Sequence, residues 1–402
     1  MNRIDQILLS GRVVAPSGVI DDGVVITSDD RIVFVGKAAE VPAEHSAART
    51  PHGWSPGRML LPGLVDGHCH GGAGGEFGGD GESVLTAARH HQRSGTTSLL
   101  ASLVSNTPGA LTAGVTTCAA LVSSGDLAGV HLEGPFLSIA RRGAQNPSVL
   151  TDVDAPLVES LVERAATAGA PGALAQMTYA PERRGGDALP ALLSRLGILP
   201  ALGHTDADAD TAWASLQQGR EVAPRGGRPL VTHVFNGMPS LHHRAPGPVA
   251  ACLAQAAKGD AVLEVVGDGV HLAPGTVRML FDLVGPDGLS LITDSMAASG
   301  MPDGTYTLGG QDVVVTDRTA RLVEGGSIAG GVATLLDVVR WCVTEAGIPL
   351  VDAVTAASRT PARALGLDDV GTLEAGRLAD VLVVGEDDMA LEAVLRRGKW
   401  LT

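Results

Sequence analysis

Short apolar runs recur through the middle of the chain, each stopping at a polar residue and followed by a segment long enough for a helix. Eight of them read as strands: Leu60 to Val65, Thr96 to Leu103, Ala128 to Leu132, Ala173 to Tyr179, Leu199 to Gly203, Leu230 to Phe235, Ala261 to Val266 and Leu289 to Thr293. Apolar strands alternating with helices predict a parallel sheet with crossover helices. Eight βα units in about 250 residues fit a (β/α)8 TIM-type barrel, an α/β fold whose active-site groups gather at the carboxyl ends of the strands. The barrel is expected over residues 59–365. A doubly wound open sheet would instead spread groups from the first, third, fifth, sixth and eighth strands along one edge. The chain ends follow another pattern. Gln6 to Leu9, Arg12 to Ala15, Val24 to Thr27 and Arg31 to Gly36 are β runs broken by turn signals, and Val381 to Val384 and Leu391 to Arg396 repeat the pattern. Residues 1–58 and 366–402 are therefore expected to form one small discontinuous β-sandwich domain.

The residues at which the runs stop carry the chemistry. If Leu60 to His70 is extended, His68 and His70 share a face and Cys69 turns away from them. Glu133, His204 and Asp294 follow the third, fifth and eighth runs, and His233 follows Leu230-Val231-Thr232 in the sixth. Four imidazoles and two carboxylates suit zinc or another divalent first-row ion, Fe2+, Mn2+ or Co2+ included. Six ligands leave room for one ion or two, with His68 and His70 on one, His204 and His233 on the other, and Glu133 shared or close to both. Such an ion lowers the pKa of bound water from about 15.7 to about 7 and polarises a carbonyl, which points to hydrolysis. Asp294 is the expected acid/base, taking the water proton and returning it to a leaving amine. His271 has two readings, a donor to a substrate carbonyl or an ordinary loop histidine. His131 shares a strand face with Glu133 and reads as barrel packing or as a support behind the ligands. His45, His52, His90 and His91 lie in polar or helical segments and read as solvated. Arg244, on the Gly- and Pro-rich loop after the sixth run, could hold an anion together with the backbone amides of Asn236 and Gly237.

Composition narrows the partners. A chain of 402 residues with 45% hydrophobic content and positive mean hydropathy can bury a large core. Its net charge of −15, with no basic run, argues against nucleic acid or an anionic membrane as partner. Cys69, Cys118, Cys252 and Cys342 show no metal or disulfide spacing and read as reduced thiols. The start Met1 to Gln6 lacks a signal-peptide pattern, and no apolar stretch is long enough to span a bilayer, so a cytoplasmic location is expected.

At these same residues the chain resembles the amidohydrolase superfamily, and within it the N-acetylglucosamine-6-phosphate deacetylases. Pro62 to His70 looks like the superfamily's first-strand signature. His131-Leu132-Glu133-Gly134-Pro135-Phe136, Gly203-His204-Thr205, Thr232 to Met238, Asp268 to His271 and Thr293 to Met296 are similar to the deacetylases' own motifs. The resemblance implies hydrolysis of the acetamide of N-acetylglucosamine 6-phosphate to glucosamine 6-phosphate and acetate. It implies that Glu133, His204 and His233 hold the main metal, that Asp294 is the acid/base, that His271 contacts the scissile carbonyl, and that Arg244 with the Asn236-Gly237 backbone holds the phosphate. It also implies a homodimer whose loops reach the neighbouring site. Gln145, beside Ala144 in Gly143-Ala144-Gln145-Asn146, stands where many members have histidine, and either side chain can hydrogen-bond a sugar or phosphate oxygen. The rivals are an N-acetylgalactosamine-6-phosphate deacetylase, a cyclic amidase or nucleobase deaminase of the same superfamily, and a non-catalytic assembly protein on the same scaffold.

Overall fold

The computed structural model describes residues 6–401; Met1 to Asp5 and Thr402, parts of the expected small domain and of the amino-terminal reading, lie outside the described residues. The chain begins with β1 (Gln6–Ala15), β2 (Gly18–Ser28) and β3 (Arg31–Lys37), paired antiparallel, and then lays β4 (Arg58–Pro62) parallel to β1. β1 takes in both of its expected short runs, joined across a bulge at Gly11 to Val13. The barrel starts one residue after β4, with β5 (Leu64–Asp66). Leu60 to Val65, expected as one strand, is therefore two, and a division at residues 58 and 59 would cut β4. Gly63 makes the corner, because a Cβ there would overlap the Thr97 hydroxyl and press on Asp380.

Seven further parallel strands continue the barrel: β6 (Thr96–Val104), β7 (Gly129–Glu133), β8 (Leu174–Tyr179), β9 (Leu199–Leu202), β10 (Leu230–Val231), β11 (Val262–Val265) and β12 (Leu289–Leu291). The ladder runs in chain order from β5 to β12. At its carboxyl end the seam closes through loop backbone, with Asp294 N–H donating to the His68 carbonyl at 2.9 Å and His70 N–H donating to the Ser295 carbonyl at 2.7 Å. At the opposite end Val65 N–H donates to Ala357, so the segment between helices Leu350–Ala356 and Arg359–Leu365 fills the gap. The crossover helices begin on recognisable signals: Asp80, Thr107, Asp154 and Asp208 each accept a first-turn N–H, and Thr334 forms a capping box with Asp337.

Between β12 and the helix Leu335–Thr344 the chain inserts a three-stranded antiparallel sheet, β13 (Gly304–Leu308), β14 (Gln311–Thr316) and β15 (Thr319–Leu322). The sequence reading had no place for it. The chain then returns through β16 (Val381–Gly385), β17 (Leu391–Arg396) and β18 (Lys399–Leu401), completing a seven-stranded sheet in the order β18-β17-β16-β4-β1-β2-β3. One face of that sheet buries Leu9, Val13, Val25, Ile32, Leu60 and Val383 in a core of its own. The other adds Val14, Met59, Leu61, Leu382 and Val384 to the barrel core, so the two bodies share apolar surface. The sheet's ends also meet, since a Cβ on Gly398 would overlap the Asp29 carbonyl oxygen and Arg31 bridges to Leu378. Among the described residues no helix is long and apolar enough to cross a membrane.

Candidate active site

Glu133 is the last residue of β7; His68 and His70 follow β5, His204 follows β9, His233 follows β10 and Asp294 follows β12. At three of these positions the backbone turns left-handed, with φ of 46° at His204, 25° at His233 and 48° at Asp294. Their side chains converge on Glu133. Its Oε1 lies 3.0 Å from Nε2 of His204 and 3.0 Å from Nε2 of His233, and its Oε2 lies 3.3 Å from Nε2 of His70. Asp294 Oδ1 stands 3.2 Å from His70 Nε2 and 3.5 Å from His68 Nε2. The Nε2 atoms of His68 and His70 are 3.1 Å apart, as are those of His204 and His233.

These spacings test whether the residues fit a cation. His70 Nδ1 lies 3.1 Å from the Ser102 carbonyl and His204 Nδ1 lies 2.8 Å from the Arg141 carbonyl, acceptors that require the proton on Nδ1. The inward nitrogens of neutral rings then carry lone pairs pointed at one another and at carboxylate oxygens. Only positive charge between them relieves that repulsion. Four imidazoles and two carboxylates sharing a buried point are a nitrogen and oxygen donor set for a divalent metal, and the groups His68, His70, Asp294 and His68, Glu133, His233 are each compact enough to hold one. Were those inward nitrogens protonated instead, the charge on His68 and the hydrogen bonds from His204 and His233 would outweigh burial and hold the Glu133 carboxyl well below the ordinary carboxylate range.

A barrel with this cluster at its mouth has a matching family model, described as the amidohydrolase family, which covers residues 59–401. The chain belongs to the amidohydrolase family. Among its relatives, the N-acetylglucosamine-6-phosphate deacetylase of Bacillus subtilis (strain 168) is 31% identical over 393 residues, covering 96% of this chain and 94% of that protein. The N-acetylgalactosamine-6-phosphate deacetylase of Escherichia coli O157:H7 is 31% identical over 387 residues, covering 94% of this chain and 95% of that protein. Among solved structures, a mutant N-acetyl-D-glucosamine-6-phosphate deacetylase from Mycobacterium smegmatis in complex with N-acetyl-D-glucosamine-6-phosphate aligns with a TM-score of 0.89 at 36% identity, over 98% of this chain and 99% of that one.

Beside the cluster of this amidohydrolase lies a cleft of about 290 Å³, lined by His70, Glu133, His204, His233 and Asp294 and by Ala144, Gln145, Asn236, Gly237, His271 and the inserted sheet's Leu308. His271 reaches into it. Its Nδ1 lies 2.8 Å from Asp268 Oδ2 and its Nε2 lies 3.8 Å from Asp294 Oδ2. Burial disfavours the charged ring, but Asp268 more than compensates, so the His271 pKa is raised. Gln145 lies at the cluster itself, donating to Glu133 Oε2 at 2.6 Å and accepting from Ser105 N–H at 2.8 Å. Asn236 turns its amide back onto the His233 and Val234 carbonyls, and Gly237 accepts from Thr205 N–H. Arg244 does not line this cleft; its side chain is exposed.

Cys69 turns away from the two histidines beside it, as the alternation requires, and its Sγ lies 3.2 Å from Nε2 of His91. That partner corrects the solvated reading, because His91 is fully buried, while His90 and His45 are half-buried. All four cysteines are buried thiols. His131 is buried beside His68, its two nitrogens meeting the hydroxyls of Ser102 and Thr178. The sequence reading passed over Asp66, which accepts from the Thr293 hydroxyl at 2.6 Å and from His68 N–H at 3.1 Å, tying β5 to β12 directly beneath the cluster. It also passed over Glu264, buried behind His68. A carboxylate inside an apolar strand was the available signal for both.

Proposed function

We propose that the chain hydrolyses the acetamide of N-acetyl-D-glucosamine 6-phosphate, releasing acetate and D-glucosamine 6-phosphate. The observation that carries this is the placement of Asp294 between His70 and His271, beside the metal-binding cluster and facing the cleft. The cleft mixes polar side chains, Gln145, Asn236 and Ser327 among them, with the small residues Gly143, Ala144, Gly237 and Gly330, a lining that suits a sugar. The relatives' substrates support the same choice.

Glu133, His204 and His233 would hold one divalent ion and His68 with His70 a second, with Asp294 beside both; Zn2+ is the ion the donor set favours. When bound, such an ion supplies Lewis acidity, polarising the acetamide carbonyl and acidifying water. Asp294 takes the proton of the attacking water and returns it to the departing amine. His271 is held by Asp268 with Nδ1 occupied, which leaves its Nε2–H to donate to the scissile carbonyl as that oxygen gains charge. Ala144, Gln145, Asn236 and Gly237 line the cleft and are assigned to binding the substrate. No lysine or arginine lines it among the described residues. We assign the phosphate's counter-charge to Arg244 on the exposed loop of a second copy, in a cytoplasmic homodimer.

The test is kcat/KM for amine release from N-acetylglucosamine 6-phosphate, N-acetylgalactosamine 6-phosphate and unphosphorylated N-acetylglucosamine, on enzyme of measured metal content. The first substrate should be preferred. Equal rates on the two phosphorylated epimers would broaden the specificity, and no turnover of any would overturn the reading.

A further inference from the structure

Of the four imidazoles in the cluster, His68 alone is backed by a carboxylate. The outer nitrogens of His70 and His204 meet backbone carbonyls, and Nδ1 of His233 has no hydrogen-bond partner. Nδ1 of His68 lies 3.1 Å from Oε2 of Glu264. Glu264 sits mid-strand in β11 and is 1% exposed. Its other oxygen accepts from Gln176 Nε2, on β8, at 2.9 Å. Among the described residues no lysine or arginine pairs with it. Burying a carboxylate that no lysine or arginine neutralises is costly, and an apolar residue with apolar partners in this position would serve the core at least as well. The negative charge therefore needs a purpose beyond packing.

We propose that Glu264 is the positioning residue for the first-strand metal position. It accepts the Nδ1 proton of His68 and so fixes the tautomer that turns the Nε2 lone pair toward His70 and Glu133. Its charge strengthens that nitrogen as a donor to a divalent cation. The Glu133, His204 and His233 position has no such support, so loss of Glu264 acts on one position and spares the other. The inference rests on the metal-dependent reading above.

The test uses full-length enzyme, with Zn2+ content by elemental analysis, Zn2+ dissociation constants by competition with a chromophoric chelator, and the metal-free melting temperature as the fold control. Glu264→Gln keeps an acceptor oxygen for His68 and removes the charge; Gln176, whose Oε1 has no partner, turns over to receive the new NH2. The variant should melt like the wild type without metal and bind one Zn2+ about 10- to 100-fold more weakly. Unchanged dissociation constants for every ion bound would overturn the proposal. Should that variant fail to fold, Glu264→Gln combined with Gln176→Glu restores the same two groups and the same charge while moving the carboxylate off His68. The same selective weakening is expected, and wild-type affinity there overturns the proposal as well. Wild-type enzyme that binds no Zn2+ defeats the metal reading itself. Wild-type enzyme that binds Zn2+ and turns over, matched by both variants in affinity, defeats only the role of Glu264.

Discussion

His91 should make the fold acid-sensitive. Its ring is fully buried, its Nε2 lies 2.9 Å from the Gly71 carbonyl and 3.2 Å from Cys69 Sγ, and its Nδ1 has no partner. Burial lowers its pKa from 6.5 to about 4. Between those values the unfolded chain holds a proton that the folded chain refuses, so stability falls as pH drops from 6.5 toward 4 and is flat on either side. At about 1.36 kcal/mol per pKa unit, the full effect is about 3 kcal/mol. With an unfolding entropy of about 2.1 cal/mol/K per residue, that is roughly 4 °C in melting temperature for a chain of this length. His91→Gln keeps a donor for the Gly71 carbonyl and cannot titrate. The assay is the melting temperature of wild type and variant from pH 4 to 8, read as the difference between the two curves so that other titrating groups cancel. The variant should gain on the wild type steadily below pH 6.5 and stop gaining near pH 4. Parallel curves would refute the reasoning.

Other expectations concern catalysis. Asp294→Asn removes the proton acceptor while leaving an oxygen beside His70; kcat should fall by about 10²- to 10⁴-fold with metal content unchanged by elemental analysis. Arg244→Ala should raise KM for the phosphorylated substrate and leave kcat close to wild type, as expected for a group binding ground and transition states alike; steady-state kinetics decide it. Dialysis against a chelator should abolish turnover, and added Zn2+ should restore it.

The barrel was legible because buried parallel strands are written as unbroken apolar runs, and seven of the eight starts fall within a residue of those expected. The sixth run was read too long: Val234 and Phe235 extend the apolar pattern of Leu230 and Val231, but His233 and Phe235 have positive φ, which ends the strand at Val231. β14 hid for the opposite reason, since Val313-Val314-Val315 is apolar on both faces although Val314 is exposed, so no alternation marks the strand. The cluster was legible as a set of strand-end residues. Its supports were marked only as carboxylates inside apolar strands; what they hold was not readable, because Asp66 meets Thr293 and Glu264 meets His68 across strands far apart in sequence. His91 was readable in principle, for Val84, Ala87, Ala88 and His91 repeat at helical spacing and are buried together. Arg244 lies on an exposed loop, where nothing in the sequence states which cleft it serves.

The left-handed backbone at His204, His233 and Asp294 sets stability against chemistry. A side chain in that conformation costs on the order of 1 kcal/mol or more, whereas glycine or asparagine would tolerate it with less strain. At these three positions the residue that best suits the backbone is one that destroys the site. A library of this protein sorted for heat resistance alone should therefore enrich inactive members here, while one sorted for turnover should keep all three residues and find its stabilising changes elsewhere.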